Sequence, residues 1–115
     1  FIDWNLVLDE KGGPNHVGNY CEAPIMCDTK EGKWYKNASW YFIKHFSKYI
    51  RPGAKRIGHS LYTSQLEACA FVNPDGSIVT VVHNPSREEI PYKLRVYGHI
   101  SDCTAKPQSI STIII

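Results

Sequence analysis

The chain opens on FIDWNLVL, Phe1 to Leu8, an almost unbroken apolar run interrupted only by Asp3 and Asn5. A strand covered on both faces, as in a parallel sheet, shows such a run instead of strict alternation. The pattern therefore predicts one buried strand over residues 1–8, with the chain starting inside it. Gly12-Gly13-Pro14 punctuates the loop that follows, residues 9–18. Tyr20 to Cys27 is extended again, and Pro24 restricts it to an edge or irregular position. Asp28 to Lys33 forms a polar turn. Phe42, Ile43, Phe46, Tyr49 and Ile50 then recur at helical spacing, with Lys44, Ser47 and Lys48 on the other side. This predicts a helix over Ser39 to Ile50, ended by Pro52-Gly53, with its aromatic stripe in the core.

After Pro52 the period drops to two. Short strands are expected at Arg56–Tyr62, Glu67–Val72, Ile78–His83, Ile90–Val96, His99–Cys103 and Ser109–Ile115. Asn73-Pro74-Asp75-Gly76 is a hairpin turn in which Pro presets φ and Gly supplies a positive φ. Tyr92-Lys93-Leu94-Arg95-Val96 alternates apolar with basic residues, so one face is buried and the other wet. Many short strands with turn signals imply an antiparallel sandwich. The fold class is thus mixed: a strand–loop–strand–helix unit of α/β character over residues 1–50, then an all-β module over residues 51–115. One parallel-type strand and one helix cannot make a covered sheet alone, so the first part reads as a piece of something larger.

Composition narrows the classes. The 115 residues carry 43% hydrophobic and 21% charged side chains, as a folded globular chain does. No apolar run approaches the roughly 20 residues of a membrane-spanning helix. The net charge of +2 is spread out, with a basic cluster only at Arg51 to Arg56, which argues against a nucleic-acid surface. Five histidines are scattered and no Cys-x-x-Cys pair occurs, so neither a metal site nor a cofactor is expected. Among the carboxylates, Asp3 beside Trp4 is the best candidate for chemistry, and a hydrogen-bonded structural role accounts for it as well. Asp9-Glu10 and Glu88-Glu89 read as solvated loop residues. No nucleophile elbow, P-loop or dinucleotide turn is present.

The four cysteines, Cys21, Cys27, Cys69 and Cys103, allow three pairings among which the sequence does not choose; Cys69 reads as a small core residue, and only Cys21 and Cys27 are near enough in sequence for a local bridge. Asn37-Ala38-Ser39 is an N-glycosylation sequon, but Asn37 suits a helix N-cap equally. Asn84-Pro85-Ser86 is excluded as a sequon by its Pro. What the chain does offer is a set suited to sugar: Trp4 supplies a ring face, while Asn19 and Tyr20 after the glycine loop supply hydrogen-bonding groups. A buried core Trp and a turn Asn would account for the same residues.

DWNLVLDEKGGPNHVGNY, CEAPIMCD, HFSKYIRPGAKRIG, NPDGSIVTVVHNPS and SISTIII together closely resemble the C-terminal part of glucosylceramidases, the acid β-glucosidases of glycoside hydrolase family 30. The resemblance spans essentially the whole chain. It implies a (β/α)8 TIM barrel with an attached β-sandwich, residues 1–8 being the last barrel strand and 39–50 the last barrel helix. It implies that Trp4, Asn19 and Tyr20 line the glucose pocket or its entrance, and that Asn37 is a candidate glycan acceptor. Family members are retaining glycosidases with two catalytic Glu residues, both expected upstream of Phe1. The chain alone would then be inactive. Implied partners are a glucosylceramide-type glycolipid, a membrane surface and an activator protein, in a lysosomal or secreted setting. His16 stands where the family commonly has Trp. Cys21, Cys27 and Cys69 stand where aliphatic residues are usual, which implies buried free thiols. The reading from another class is a stand-alone β-sandwich carbohydrate-binding module using Trp34, Tyr35 and Trp40 as its platform.

Overall fold

A computed structural model describes residues 2–115. It divides into two compact units, one ending at Lys44 and the other spanning His45–Ile115. The first holds three short strands, β1 (Val7–Asp9), β2 (Ile25–Asp28) and β3 (Lys33–Lys36), in the order β1-β2-β3. β1 and β2 run parallel, in register Leu8 to Met26, and β2 and β3 form an antiparallel hairpin. The polar turn is present as expected: the Asp28 carboxylate accepts the amides of Lys30 and Glu31, and Gly32 takes a φ of 63°. Helix α1 (Ala38–Ser47) follows.

Three expectations for this unit need correction. The strand predicted over residues 1–8 is only Val7–Asp9; Phe1 lies outside the described residues, and residues 2–6 form no ladder. Among the described residues β1 is an edge strand with β2 as its one neighbour, and the pairing ends at Leu6, whose carbonyl accepts the Ile25 amide. The run is accordingly not buried: Ile2 is 97% exposed and Trp4 82%. Second, β2 is central, not an edge; Pro24 lies just before it, where a missing N–H costs no ladder bond. Third, the helix is shorter than Ser39 to Ile50 at its C-terminal end, and its apolar stripe is not core, because Phe42 and Phe46 are both exposed.

The second unit contains β4 (Lys55–Ile57), β5 (Glu67–Val72), β6 (Ile78–Asn84), β7 (Ile90–Val96), β8 (His99–Ala105) and β9 (Ser109–Ile114). These form a four-stranded antiparallel sheet, β4-β5-β6-β9, and a β7-β8 hairpin. β4 is much shorter than the predicted Arg56–Tyr62. It is an edge strand, and the chain leaves the ladder at Gly58, residues 58–63 lining a groove of 1020 Å³ together with Ala68, Ala70, Tyr92 and Leu94. Leu66, Val82, Ile90 and Ala105 close into one core cluster with Ala68, Tyr92 and Ile113 against it. The alternation in β7 places Tyr92, Leu94 and Val96 inward and Lys93 and Arg95 in water. In the β5–β6 turn, the Gly76 amide bonds the Asn73 carbonyl and Gly76 takes a φ of 88°, as the sequence predicts.

Two asparagines, Asn73 and Asn84, are buried without any local sequence signal for it. Asn73 bonds the Arg51 amide through Oδ1 and donates from Nδ2 to the Tyr49 carbonyl and the Ser77 hydroxyl, tying the hairpin turn to the end of the helical segment. Asn84 is fully buried. Its Nδ2 donates to the carbonyls of Glu88, Ala105 and Lys106, and its Oδ1 accepts from the amide and hydroxyl of Ser86. All four cysteines are free thiols, so no bridge joins Cys21 and Cys27. Cys21 is exposed, against the expectation of burial, and Cys69 is only half-buried. Cys103 lies opposite Tyr92 in the hairpin; burial first, and Cys103 second, push the Tyr92 phenol up to about 12.

Candidate functional site

The site builds outward from the C-terminal end of β1. Asp9 ends the strand, and its backbone turns at once: the Gly12 amide bonds the Asp9 carbonyl at 2.9 Å, and the Asp9 amide bonds the Gly13 carbonyl at 2.6 Å. The Asp9 side chain adds two bonds, Oδ1 accepting the Lys11 amide at 2.9 Å and the Gly13 amide at 2.8 Å. The loop closes where the Cys21 amide reaches the Gly12 carbonyl at 3.3 Å. That closure needs glycine. Gly12 has a φ of 82°, and a Cβ there would lie 2.5 Å from the Cys21 carbonyl oxygen. Gly13 joins cis to Pro14, and a Cβ on Gly13 would touch the Tyr20 ring at 3.5 Å and both Asp9 carboxylate oxygens at 3.6 Å. Tyr20 and Asp9 thus flank the same backbone point.

Glu10 makes the neighbouring attachment. Its carboxylate accepts the Thr29 amide at 3.0 Å and the Thr29 hydroxyl at 3.0 and 3.1 Å, joining the end of β1 to the β2–β3 turn. The Glu10 carboxylate is solvated as the sequence suggests, whereas Asp9 ends β1 and is half-buried, and both carboxylates hold backbone amides. The Thr29 amide foremost holds the Glu10 carboxyl below the usual glutamate range. A folded-state value below the unfolded one means that its stabilisation is present at pH above the unfolded value and is lost as pH falls through the depressed folded value. The Thr29 amide resonance should accordingly titrate with a midpoint below 4.5, the ordinary glutamate value; a midpoint at or above that value would refute the clamp.

Of the sequence-derived sugar residues, Asn19 and Tyr20 lie on this loop and are exposed, Tyr20 by 63%. Trp4 lies on the other side of β1 in the chain, off the strand, with its amide bonded to the Asp3 carboxylate. Among the described residues no hydrogen bond or ring contact joins Trp4 to Asn19 or Tyr20. Asp3 is exposed, and this bond to the next amide is its local role. His16 and Val17 form the exposed tip of the loop. Asn15 accepts the Val17 amide through Oδ1, but its buried Nδ2 has no partner. Asn37 precedes α1 and is half-buried; its Nδ2 donates to the Ala23 carbonyl and its backbone carbonyl accepts the Trp40 amide.

The aromatic set proposed for a binding module behaves differently. Trp34 is 62% exposed, but Lys36 Nζ lies 4.0 Å from the Trp40 ring centre and 5.4 Å from that of Trp34. Lys44 Nζ lies 5.0 Å from the Trp40 ring centre. Ammonium groups thus lie over the Trp40 ring and, more distantly, the Trp34 ring, where a sugar would compete with them for stacking. Among the described residues no group of three or more His, Cys, Asp or Glu could hold a metal ion, and no helix is long and apolar enough to cross a membrane.

Comparison with known proteins matches both parts of the chain. Residues 1–50 match the glycosyl hydrolase family 30 TIM-barrel domain and residues 53–113 the glycosyl hydrolase family 30 beta sandwich domain. The mouse lysosomal acid glucosylceramidase is 42% identical over 92 residues, covering 79% of this chain and 18% of the mouse protein. Putative glucosylceramidase 1 of Caenorhabditis elegans is 48% identical over 82 residues, covering 70% of this chain and 16% of the worm protein. The crystal structure of SrfJ from Salmonella typhimurium superposes on the whole chain with a TM-score of 0.95 and 44% identity, over 26% of its own length. The chain thus spans about a fifth of the length of the curated relatives it matches.

Proposed function

The chain belongs to glycosyl hydrolase family 30, carrying the end of its TIM-barrel domain followed by β-sandwich, and from that membership we propose that it is the C-terminal portion of a retaining β-glucosidase that hydrolyses glucosylceramide to glucose and ceramide. In this reading residues 1–50 supply a wall of the substrate pocket and residues 51–115 belong to the sandwich. The observation that carries it is the loop rooted on Asp9 at the C-terminal end of a parallel strand. Barrel active sites are built from such loops, and this one leaves Asn19 and Tyr20 free to meet a ligand.

The roles follow from side-chain chemistry. The exposed Trp4 ring offers a face to the C–H side of a pyranose, the Asn19 amide can both donate to and accept from its hydroxyls, and Tyr20 lines the entrance. The two glutamates of the retaining mechanism, acid/base and nucleophile, come from the remainder of the enzyme, and the reaction calls for no cofactor. Likeness to the mouse lysosomal enzyme supports a lysosomal setting and a glucosylceramide-type substrate; presentation at a membrane surface with an activator protein and a glycan on the Asn37 sequon belong to the same proposal.

Two assays test the reading. The purified chain should show no turnover of an aryl β-glucoside; turnover abolished by substituting one of its own Glu or Asp residues would refute it. A chimera in which the chain replaces the matching segment of the mouse glucosylceramidase should be active, and Asn19→Ala in that chimera should lower kcat/KM about 10- to 100-fold. Unchanged kcat/KM would remove Asn19 from the pocket.

A further inference from the structure

We propose that Asp9 is a positioning residue for the sugar-facing loop. This rests on the reading of Asn19 and Tyr20 given above, and concerns a carboxylate that touches neither substrate nor reacting atoms. Residues 10–20 span a long excursion with no secondary structure of its own. A loop of that length holds one conformation only if its two ends are fixed.

Asp9 does the fixing. One carboxylate oxygen takes the amides of Lys11 and Gly13, and the backbone of the same residue closes two further bonds with Gly12 and Gly13. Gly13 in turn sits between that carboxylate and the Tyr20 ring, and the next residue, Cys21, is bound to Gly12. The outgoing and returning arms of the loop therefore share one anchor, and Asn19 and Tyr20 are the last residues before the return arm reaches it. The tip is built in the opposite way: His16 and Val17 are exposed, and the Asn15 amide nitrogen is buried without an acceptor. A tightly bonded root under a less satisfied tip suits a loop that must present two side chains accurately while tolerating a ligand against its outer turn. The charge on Asp9 matters because amide bonds to an ionised carboxylate are stronger than those to a neutral oxygen.

The test uses Asp9→Ala and Asp9→Asn. In the 115-residue chain, Asp9→Ala should speed hydrogen exchange at the Gly13 and Cys21 amides at least about tenfold while leaving the amides of β6 unchanged, and Asp9→Asn, which keeps one acceptor oxygen, should restore part of the protection. In the chimera described above, Asp9→Ala should lower kcat/KM about 10- to 100-fold, and the Asp9→Ala/Asn19→Ala double variant should lose little more than either single variant. A purely structural role would instead make the two losses multiply. Additive losses, or normal turnover with the loop amides deprotected, would overturn the positioning role while leaving the pocket assignment of Asn19 intact. If Asn19→Ala itself has no effect, both fall together, whatever the exchange data show.

Discussion

Asn84→Ala should lower the unfolding free energy of the His45–Ile115 unit by about 3–5 kcal/mol, measurable as a shift in the urea midpoint followed by far-UV circular dichroism. The residue sits at the end of β6 with no solvent-exposed surface. Its amide nitrogen is the shared donor for the Glu88, Ala105 and Lys106 carbonyls, at 2.7, 3.2 and 2.9 Å. Those acceptors belong to the approach to β7, the end of β8 and the turn into β9, so one side chain pins three segments beyond the end of the β7–β8 ladder at Ile90 and Ala105. Truncation leaves the carbonyls without a donor, each costing about 1–3 kcal/mol less whatever local relaxation recovers. It also releases Ser86, whose amide and hydroxyl both bond Asn84 Oδ1. Asn84→Asp should be at least as damaging. It keeps the acceptor for Ser86 but sets a carboxylate against three carbonyl oxygens in a dry site. A loss below about 1 kcal/mol for both variants would mean that the carbonyls are satisfied some other way.

Asn84 also shows where sequence reasoning stops. Asn84-Pro85-Ser86 could be excluded as a glycan site from its Pro, but nothing in the local pattern reveals that an asparagine will be buried or which distant carbonyls it will serve. Signals that lie within a few residues were legible. β5 and β7 fall on their predicted bounds, the Asn73–Gly76 turn takes the predicted form, and the alternation in Tyr92–Val96 sorts inward from outward residues. Signals that depend on a partner were not. FIDWNLVL has the pattern of a strand covered on both faces, yet only Val7–Asp9 has a neighbour to pair with, so Trp4 and Leu6 are exposed. The aromatic stripe of α1 misled for the same reason. β3 carries no such signal, because Lys33-Trp34-Tyr35-Lys36 is short and does not alternate. At the candidate site, Asn19 and Tyr20 could be picked from chemistry and resemblance. Asp9 and Glu10 could not, because polar residues beside glycines read as solvent-facing until the amides they hold are seen.

The amides of β2 and β3 should exchange at least about 100-fold faster than those of β6, a difference of nearly 3 kcal/mol in the opening free energy. Among the described residues up to Lys44, Leu8, Ala23 and Met26 form the one buried hydrophobic cluster, while Trp4, Leu6, Val17, Tyr20, Trp34 and Tyr35 are exposed. Three short strands over so small a cluster cannot offset much chain entropy. β6, by contrast, lies between two antiparallel partners with Val79, Val81 and Val82 buried. Because all three tryptophans, Trp4, Trp34 and Trp40, lie before Lys44, their fluorescence should report this loss at a lower denaturant concentration than far-UV circular dichroism, which is weighted toward the sandwich strands. Coincident midpoints and equal protection would show that the Leu8 cluster suffices and that the unit needs nothing beside it. In the chimera the outcome should reverse. Barrel strands supplied by the mouse enzyme would pair the free edge of β1 and cover its apolar neighbours, bringing β2 and β3 protection toward that of β6. Failure of protection to rise in a folded, active chimera would mean that these residues are not part of a closed barrel wall.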